Sequence, residues 1–472
     1  DDLVWVMGDV KQRLNNDNDA VVSTDMEPRP IFERSDAEIK QYITTNSLVW
    51  RFCLYGAIKN LQFFEAYLLL ILLGWGYNLL QIGILNAIIY SLTYFFEVPS
   101  GVIADYFGKK NELLICFVFY MISFVFYTFG QHSFGVLVLA SAFYGLGEAF
   151  RSGTHKAMIM VWLDKQGLSS YKTFIYSRTR SFSNLGSAAN AILSVIIIIL
   201  LEDNQLVFAI SVLPFVADFL MVATYPSYMN ETPDTKQSCA AMMSDTCTAL
   251  RAVLRHPPHR RILLSSSSFQ AVFATLKHYI QPIMVIYGAG MLSGWDVPQN
   301  LQPTYTKVVI GVLYAVFYLC SAVGTRNSHK LKCLFGTDKA AMDALFNVML
   351  AVVFAIGVSV HANAAAVTLP LYLVLYVVQN LWKPWSLAAV SDLMGKKRRA
   401  TVLSVESLIE SVLKLVFAPL VGYVAQTFSV KAVFLGMGGA FLLINNLILV
   451  DWTSRRGARE KGTEMASATD SS

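Results

Sequence analysis

Apolar residues in this chain fall in long runs separated by short polar stretches. A membrane-crossing helix needs roughly 20 mostly apolar residues. Runs of that kind cover 50–74, 79–103, 112–130, 134–160, 174–200 and 205–225. After a polar stretch at about 226–260 they resume at 262–288, 304–324, 342–361, 366–391, 400–425 and 430–451. The pattern predicts twelve transmembrane helices, six on each side of a long central loop. Basic residues test the count. The connections at 75–78, 131–133, 201–204, 289–303, 362–365 and 426–429 hold no Lys or Arg. The alternate connections hold Lys109 and Lys110, Lys165 and Lys172, Arg251 to Arg261, Arg326 to Lys332, and Lys396 to Arg399. Basic loops stay on the cytoplasmic side, so both termini and the central loop are expected there. One miscounted helix would scramble this alternation.

The same pattern divides the chain. Residues 1–46 carry ten acids and five bases and no apolar core, so a mostly disordered cytoplasmic tail is expected. Within it, Ser35 and Glu38 have the spacing of a capping box opening a short helix. Residues 47–225 form the first six-helix bundle and 262–451 the second. The cytoplasmic loop between them, 226–261, contains "MMSDTCTALRAVLRHP". This stretch reads either as an amphipathic helix on the inner membrane face or as a plain linker. Residues 452–472 form a cytoplasmic tail. The chain opens on Asp1 rather than Met, and its first residues are polar, with no signal-peptide pattern.

Composition agrees with the runs. Hydrophobic residues make up 55% of the chain and charged residues 15%, against about 25% charged in soluble domains. Mean hydropathy is +0.49. A net charge of +5 is too small to suggest a nucleic-acid partner. No G-x-x-x-x-G-K-[ST] phosphate loop occurs, and no catalytic triad or metal cluster is visible. An enzyme, an ATP-driven pump and a bound cofactor or metal are therefore not expected. Six cysteines match no zinc or redox spacing and none lies in a predicted outer loop, so inert thiols are expected and no external disulfide. Asn230 opens the sequon "NET", on the side predicted to escape glycosylation.

Between the second and third runs lies "EVPSGVIADYFGKKNELL", Glu97 to Leu114. Gly101 suits close helix approach, Asp105 sits where a carboxylate can meet a helix N-terminus, and Gly108 suits a tight turn. Lys109 and Lys110 hold the turn in the cytoplasm and can pair with acids across the interface of the two halves. Glu97 belongs to the same cluster. This stretch resembles the loop signature of the major facilitator superfamily, roughly G-x-x-x-D-R-x-G-R-R/K. Gly101, Asp105, Gly108, Lys109 and Lys110 stand at its positions, while Tyr106 replaces one arginine and Lys109 another. The resemblance extends over about 47–451. It implies an all-α fold of two pseudo-symmetric six-helix bundles, usually monomeric, that moves solutes by alternating access. It also implies that the cluster is a conformational latch. Spans four and ten echo each other loosely, "LGEAFRSGTHKAM" against "VVQNLWKPWSLAA", as a parallel repeat would.

Ionisable residues inside a membrane are costly and mark function. Counting about 1.5 Å per residue from each run's ends puts Glu65, Glu148, Arg151, Asp218, Lys277, His278, Lys383, Glu410 and Lys414 near mid-depth. Glu148 with Arg151, and Glu410 with Lys414, share a helix face and can pair. In proteins of the resembled family the spans carrying Arg151, Lys277 and Lys383 commonly line the cavity. The expected substrate site is therefore Arg151, Lys277, Lys383 and Glu148, with Trp382 and Tyr279 as apolar wall. Glu65, Glu148, Asp218 and His278 are the candidates for proton coupling.

The sequence thus reads as a secondary transporter of a small organic solute, with a mild preference for an anionic or zwitterionic one, driven by a solute or proton gradient and tilted towards uptake, proton-coupled uptake included, or facilitated diffusion. Its partners are that solute, the bilayer and protons. Span five lacks the G-x-x-x-G-P-x-x-G-G motif usual in drug/proton antiporters of the family, having only Gly186 in "SFSNLGSAANAILSV". Proton-coupled efflux remains an alternative, as does a transporter-like ligand receptor. Plasma membrane and organelle membrane are both open.

Overall fold

The computed structural model describes residues 35–201 apart from Ser152, then 204–230, 257–293, 302–327, 338–391 and 399–445, and four single positions between 244 and 255. Contacts divide the chain into a short unit ending at Trp50 and a second unit from Arg51 onward.

In the first unit, helix α1 (Asp36–Thr45) opens with the capping box expected there. The Glu38 amide donates to Ser35 Oγ at 3.3 Å, and the Ser35 amide donates to the Glu38 carboxylate at 2.7 Å. Helix α2 (Ser47–Ile58) follows. The amphipathic stretch foreseen in the central loop lies outside the described residues except for those four positions and Pro257, and both chain ends lie outside them too.

The second unit continues with α3 (Leu68–Gly74), α4 (Leu79–Phe107), α5 (Lys109–Thr128), α6 (Phe134–Arg151), α7 (Thr154–Lys165), α8 (Lys172–Leu200) and α9 (Leu206–Ala223). Then come α10 (Pro257–Leu276), α11 (Ile280–Ser293), α12 (Gln302–Asn327), α13 (Asp338–His361), α14 (Ala365–Ser391), α15 (Arg399–Thr427) and α16 (Val430–Ile444). Every one of the twelve apolar runs is occupied by helix, and among the described residues nine helices are long and apolar enough to cross a membrane.

Three runs are not single helices. The first is broken between Ile58 and Leu68, the fourth at Gly153, and the seventh by a 3-10 turn at Lys277–Tyr279. The sequence pattern predicts an unbroken helix in each, because the average hydropathy stays high through the breaks. Gly153 has a positive φ of 78°, which turns the chain out of the helix. In the first run, polar side chains inside the apolar stretch find partners on other helices. Asn60 Nδ2 donates to Ser183 O at 2.6 Å, and Gln62 Oε1 accepts from Tyr144 Oη at 3.0 Å.

The halves meet along two helix pairs, α4 with α15 and α8 with α12. The first pair packs backbone against backbone. A Cβ on Gly83 would lie 2.5 Å from Ala418 O, and one on Gly422 would lie 2.5 Å from Leu79 O. Small residues permit this approach in membranes, where packing and not water exclusion drives association. Each half has its own aromatic filling. Phe124 meets Phe215 edge-on at 4.8 Å in the first, and Phe269 stacks on Trp382 at 4.1 Å in the second.

Candidate functional site

Non-helical backbone at membrane depth is tolerated only where it is buried in protein or lines a cavity. The breaks in the first and seventh runs occupy corresponding places in the two halves, and they touch. Gln281, one residue into α11, joins them. Its Oε1 accepts from the Leu69 amide at 3.1 Å, and its Nε2 donates to Glu65 O at 3.1 Å. The side-chain amide thus satisfies backbone groups freed by the break. Beside it, Lys277 Nζ lies 3.4 Å from Glu65 Oε1, forming an ion pair between the halves. Both side chains keep contact with open space, 28% exposed for Lys277 and 35% for Glu65.

A pocket adjoins this pair, walled by Asn190, His278, Tyr314, Tyr318 and Tyr376. It has room for about one water molecule. An organic solute of any size needs the walls to part. Tyr314 and Tyr318, four apart on α12, present two hydroxyls from one helix face. The Asn190 amide holds the break as well, donating to Gln62 O at 3.2 Å.

The first half carries a second charged group. Arg151 Nη2 meets Glu148 Oε2 at 2.6 Å, and Tyr120 Oη donates to Glu148 Oε1 at 2.6 Å while accepting from Arg151 Nε at 2.9 Å. The pairing expected from the three-residue spacing is present, with a tyrosine locking it. In the second half Glu410 and Lys414 form an ion pair, and Lys414 lies 5.5 Å from the Tyr90 ring centre across the interface. Glu406 is held by Ser266 and Ser386. Lys383 is half-buried on α14 and makes no hydrogen bond or ion pair with a described residue.

The other expected residues are placed as follows. Trp382 is fully buried against Phe269. Tyr279 is buried at the 3-10 turn. Asp218 is fully buried in α9, away from the pocket, with neither carboxyl oxygen bonded to a described residue.

In the latch stretch, Gly108 has a φ of 90° and sits against Asn230, where a Cβ would collide. Lys110 Nζ donates to Tyr225 O at 2.8 Å, within its own half instead of across the interface. Lys109 is half-buried, as is Gly101 on α4. The Asp105 side chain lies outside the described residues. Glu97 does reach the other half, accepting from Ser407 Oγ at 2.9 Å.

Charge was the signal that located Glu65 and Lys277. Gln281, Asn190, Tyr120 and the three pocket tyrosines carry no charge and escaped that search. The signal that finds them is a hydrogen-bonding side chain inside an apolar run, the feature that also breaks the first span.

The Major Facilitator Superfamily family model matches residues 52–405. An uncharacterised MFS-type transporter, YxaM of Bacillus subtilis strain 168, is 31% identical over 102 residues, which are 21% of this chain. The chain therefore spans a quarter (25%) of that relative's length. Among solved structures, a mutant of the nucleoside transporter NupG superposes with a TM-score of 0.66 at 10% identity, covering 86% of this chain and 100% of its own. The D-xylose-proton symporter gives 0.60 at 13%, covering 85% and 97%. A POT family transporter solved with 5-aminolevulinic acid gives 0.64 at 11%, covering 85% and 93%. At these identities the likeness is one of fold. The matched region covers most of the chain, so this chain belongs to the Major Facilitator Superfamily and is a multi-pass membrane protein.

Proposed function

We propose that the protein is a secondary transporter that moves a small organic solute bearing a negative charge, anion or zwitterion, by alternating access at the Glu65–Lys277 joint. The observation that carries this is the meeting of two broken helices, one from each half, at a cross-half ion pair beside a pocket. Discontinuous helices in corresponding positions mark the solute site of such transporters. The ion pair suits exchange. A solute carboxylate can replace Glu65 as the partner of Lys277, separating the halves electrically as it binds.

The cross-half hydrogen bonds support a rocking motion. Tyr67 Oη donates to Lys307 O at 2.7 Å, and the Leu79 amide donates to Gln426 Oε1 at 3.2 Å. These lie toward the ends whose connections lack Lys and Arg. Toward the basic ends, Glu97 to Ser407 is the cross-half hydrogen bond among the described residues. With the basic loops in the cytoplasm, this conformation is shut toward the outside. Uptake is driven by protons in this reading, and Glu65 carries the proton, because protonating it frees Lys277 for the solute.

Reconstitution into liposomes tests the reading. A labelled carboxylic or amino acid is expected to show saturable uptake, counterflow against unlabelled solute, and stimulation by an acidic exterior. Linear flux without counterflow would indicate a channel. Binding without flux would indicate a receptor.

A further inference from the structure

Among the described residues, the Glu406 carboxylate of α15 is met by hydroxyl groups and by no base. Its Oε1 accepts from Ser266 Oγ of α10 and, at 3.4 Å, from Ser386 Oγ of α14. The two hydroxyl oxygens lie 2.7 Å from each other. Three spans of the second half thus bring three oxygens together. Both serines are buried. Ser267 Oγ donates to the Glu406 carbonyl at 3.1 Å, which ties α10 to α15 at the same level. Ser265 is buried beside them, with its hydroxyl bonded to no described residue.

Helix periodicity explains the convergence. Ser266 comes three residues before Phe269 on α10, and Ser386 four after Trp382 on α14, so each shares a face with one of the stacked rings. The stack draws the two helices together. One turn nearer the basic-loop ends the side chains become small, and Glu406 enters the gap from α15. Sequence spacing gives no sign of this, because 120 and 140 positions separate Ser266 from Ser386 and Glu406.

A buried charge is normally paired or bound to a metal. The serines offer hydrogen bonds but leave the negative charge of Glu406 unbalanced. A carboxylate with hydroxyls is a set of hard oxygen donors. No three His, Cys, Asp or Glu side chains gather among the described residues, so the set lacks the charge that a divalent ion draws on. One carboxylate balances one positive charge, and oxygens this close together suit a small ion better than a large one.

We infer that Glu406, Ser266 and Ser386 form a sodium-binding site inside the second half. The site stands about three turns along α10 from Lys277 and does not rest on the joint. The ion fastens α10, α14 and α15 to one another. Ser407, next to Glu406 on α15, donates to Glu97 of the first half, so the helix that holds the ion also reaches across the interface.

Thermal unfolding of the purified full chain in detergent tests the assignment, with sodium chloride replacing choline chloride at constant ionic strength. The Tm is expected to rise saturably with sodium and less with potassium. Glu406→Gln keeps the shape of the side chain and an acceptor for the serines but removes the charge. It is expected to melt in choline no lower than the unaltered protein and to ignore sodium. Ser386→Ala keeps the carboxylate and is expected to move the sodium midpoint about tenfold higher. A Tm indifferent to sodium, the mark of a Glu406 that simply holds a proton, would overturn the proposal. A sodium response that persists in Glu406→Gln, the mark of a general salt effect, would do the same. Should Glu406→Gln fail to fold, the midpoint in Ser386→Ala decides: a shift supports the site, and an unchanged midpoint removes it.

Discussion

Lys277 concentrates the electrostatics of the joint in one side chain. Its ammonium group is 3.4 Å from Glu65, and the side chain, partly exposed, helps line the pocket. Lys277→Gln is expected to raise KM for the solute about tenfold, the worth of one charge-assisted contact, with a smaller change in Tm. Exchanging the pair, Glu65→Lys with Lys277→Glu, is expected to restore assembly of the halves but not solute affinity. Gln281 has a different duty. Gln281→Leu strands the Leu69 amide and the Glu65 carbonyl and is expected to cost about 1–3 kcal/mol, read as a lower Tm with and without solute. An unchanged Tm would mean the broken backbone is satisfied otherwise. Arg151→Ala affects stability as well as affinity, because it leaves Glu148 with only the Tyr120 hydroxyl. Arg151→Gln with Glu148→Gln separates the two effects. The residues Glu65 and Lys277 were legible in the sequence because a charge within an apolar run is conspicuous. Their partnership was not, since 212 positions separate them and no local spacing rule reaches that far. Trp382 shows the converse. An aromatic beside Lys383 looks like a ligand wall, yet Phe269 stacks on it.

At the scale of elements, hydropathy located the helices well. Run length and the absence of Lys and Arg from alternate turns depend on the bilayer, and the bilayer imposes the same limits on every span. Breaks escaped the same reading because an average over about 20 residues hides two or three polar side chains. Asn60, Gln62 and Glu65 together open the first span, and each is satisfied by another helix or by the pocket. Helix α4 gains its hold on α15 from glycines at matching depths. Gly83→Val, whose added carbons would meet the Ala418 carbonyl, is expected to force the pair apart. Overpacking of this kind costs about 1–3 kcal/mol. Transport should fall more than binding to the separate halves' residues would suggest, because this contact is where the halves meet. Full activity in Gly83→Val would show that α4 and α15 have room to slide.

For the whole molecule, the proposal is one rocking motion about a charged joint. The present conformation is fastened from Glu65 to the base-free ends by Tyr67 with Lys307 and Leu79 with Gln426. The opposite conformation must release those bonds. Sequence alone implied this motion through the family resemblance, while the proposal of which side is shut draws on the cross-half contacts. The most direct measurement pins that shut side. Leu79→Cys and Gln426→Cys, on a chain whose six native cysteines are replaced, are joined by a short cross-linker that reductant cleaves. Solute counterflow in liposomes is then followed before and after cleavage. Alternating access predicts counterflow abolished in the cross-linked protein and restored by reductant, with solute binding retained throughout. Undiminished counterflow with positions 79 and 426 joined would contradict it.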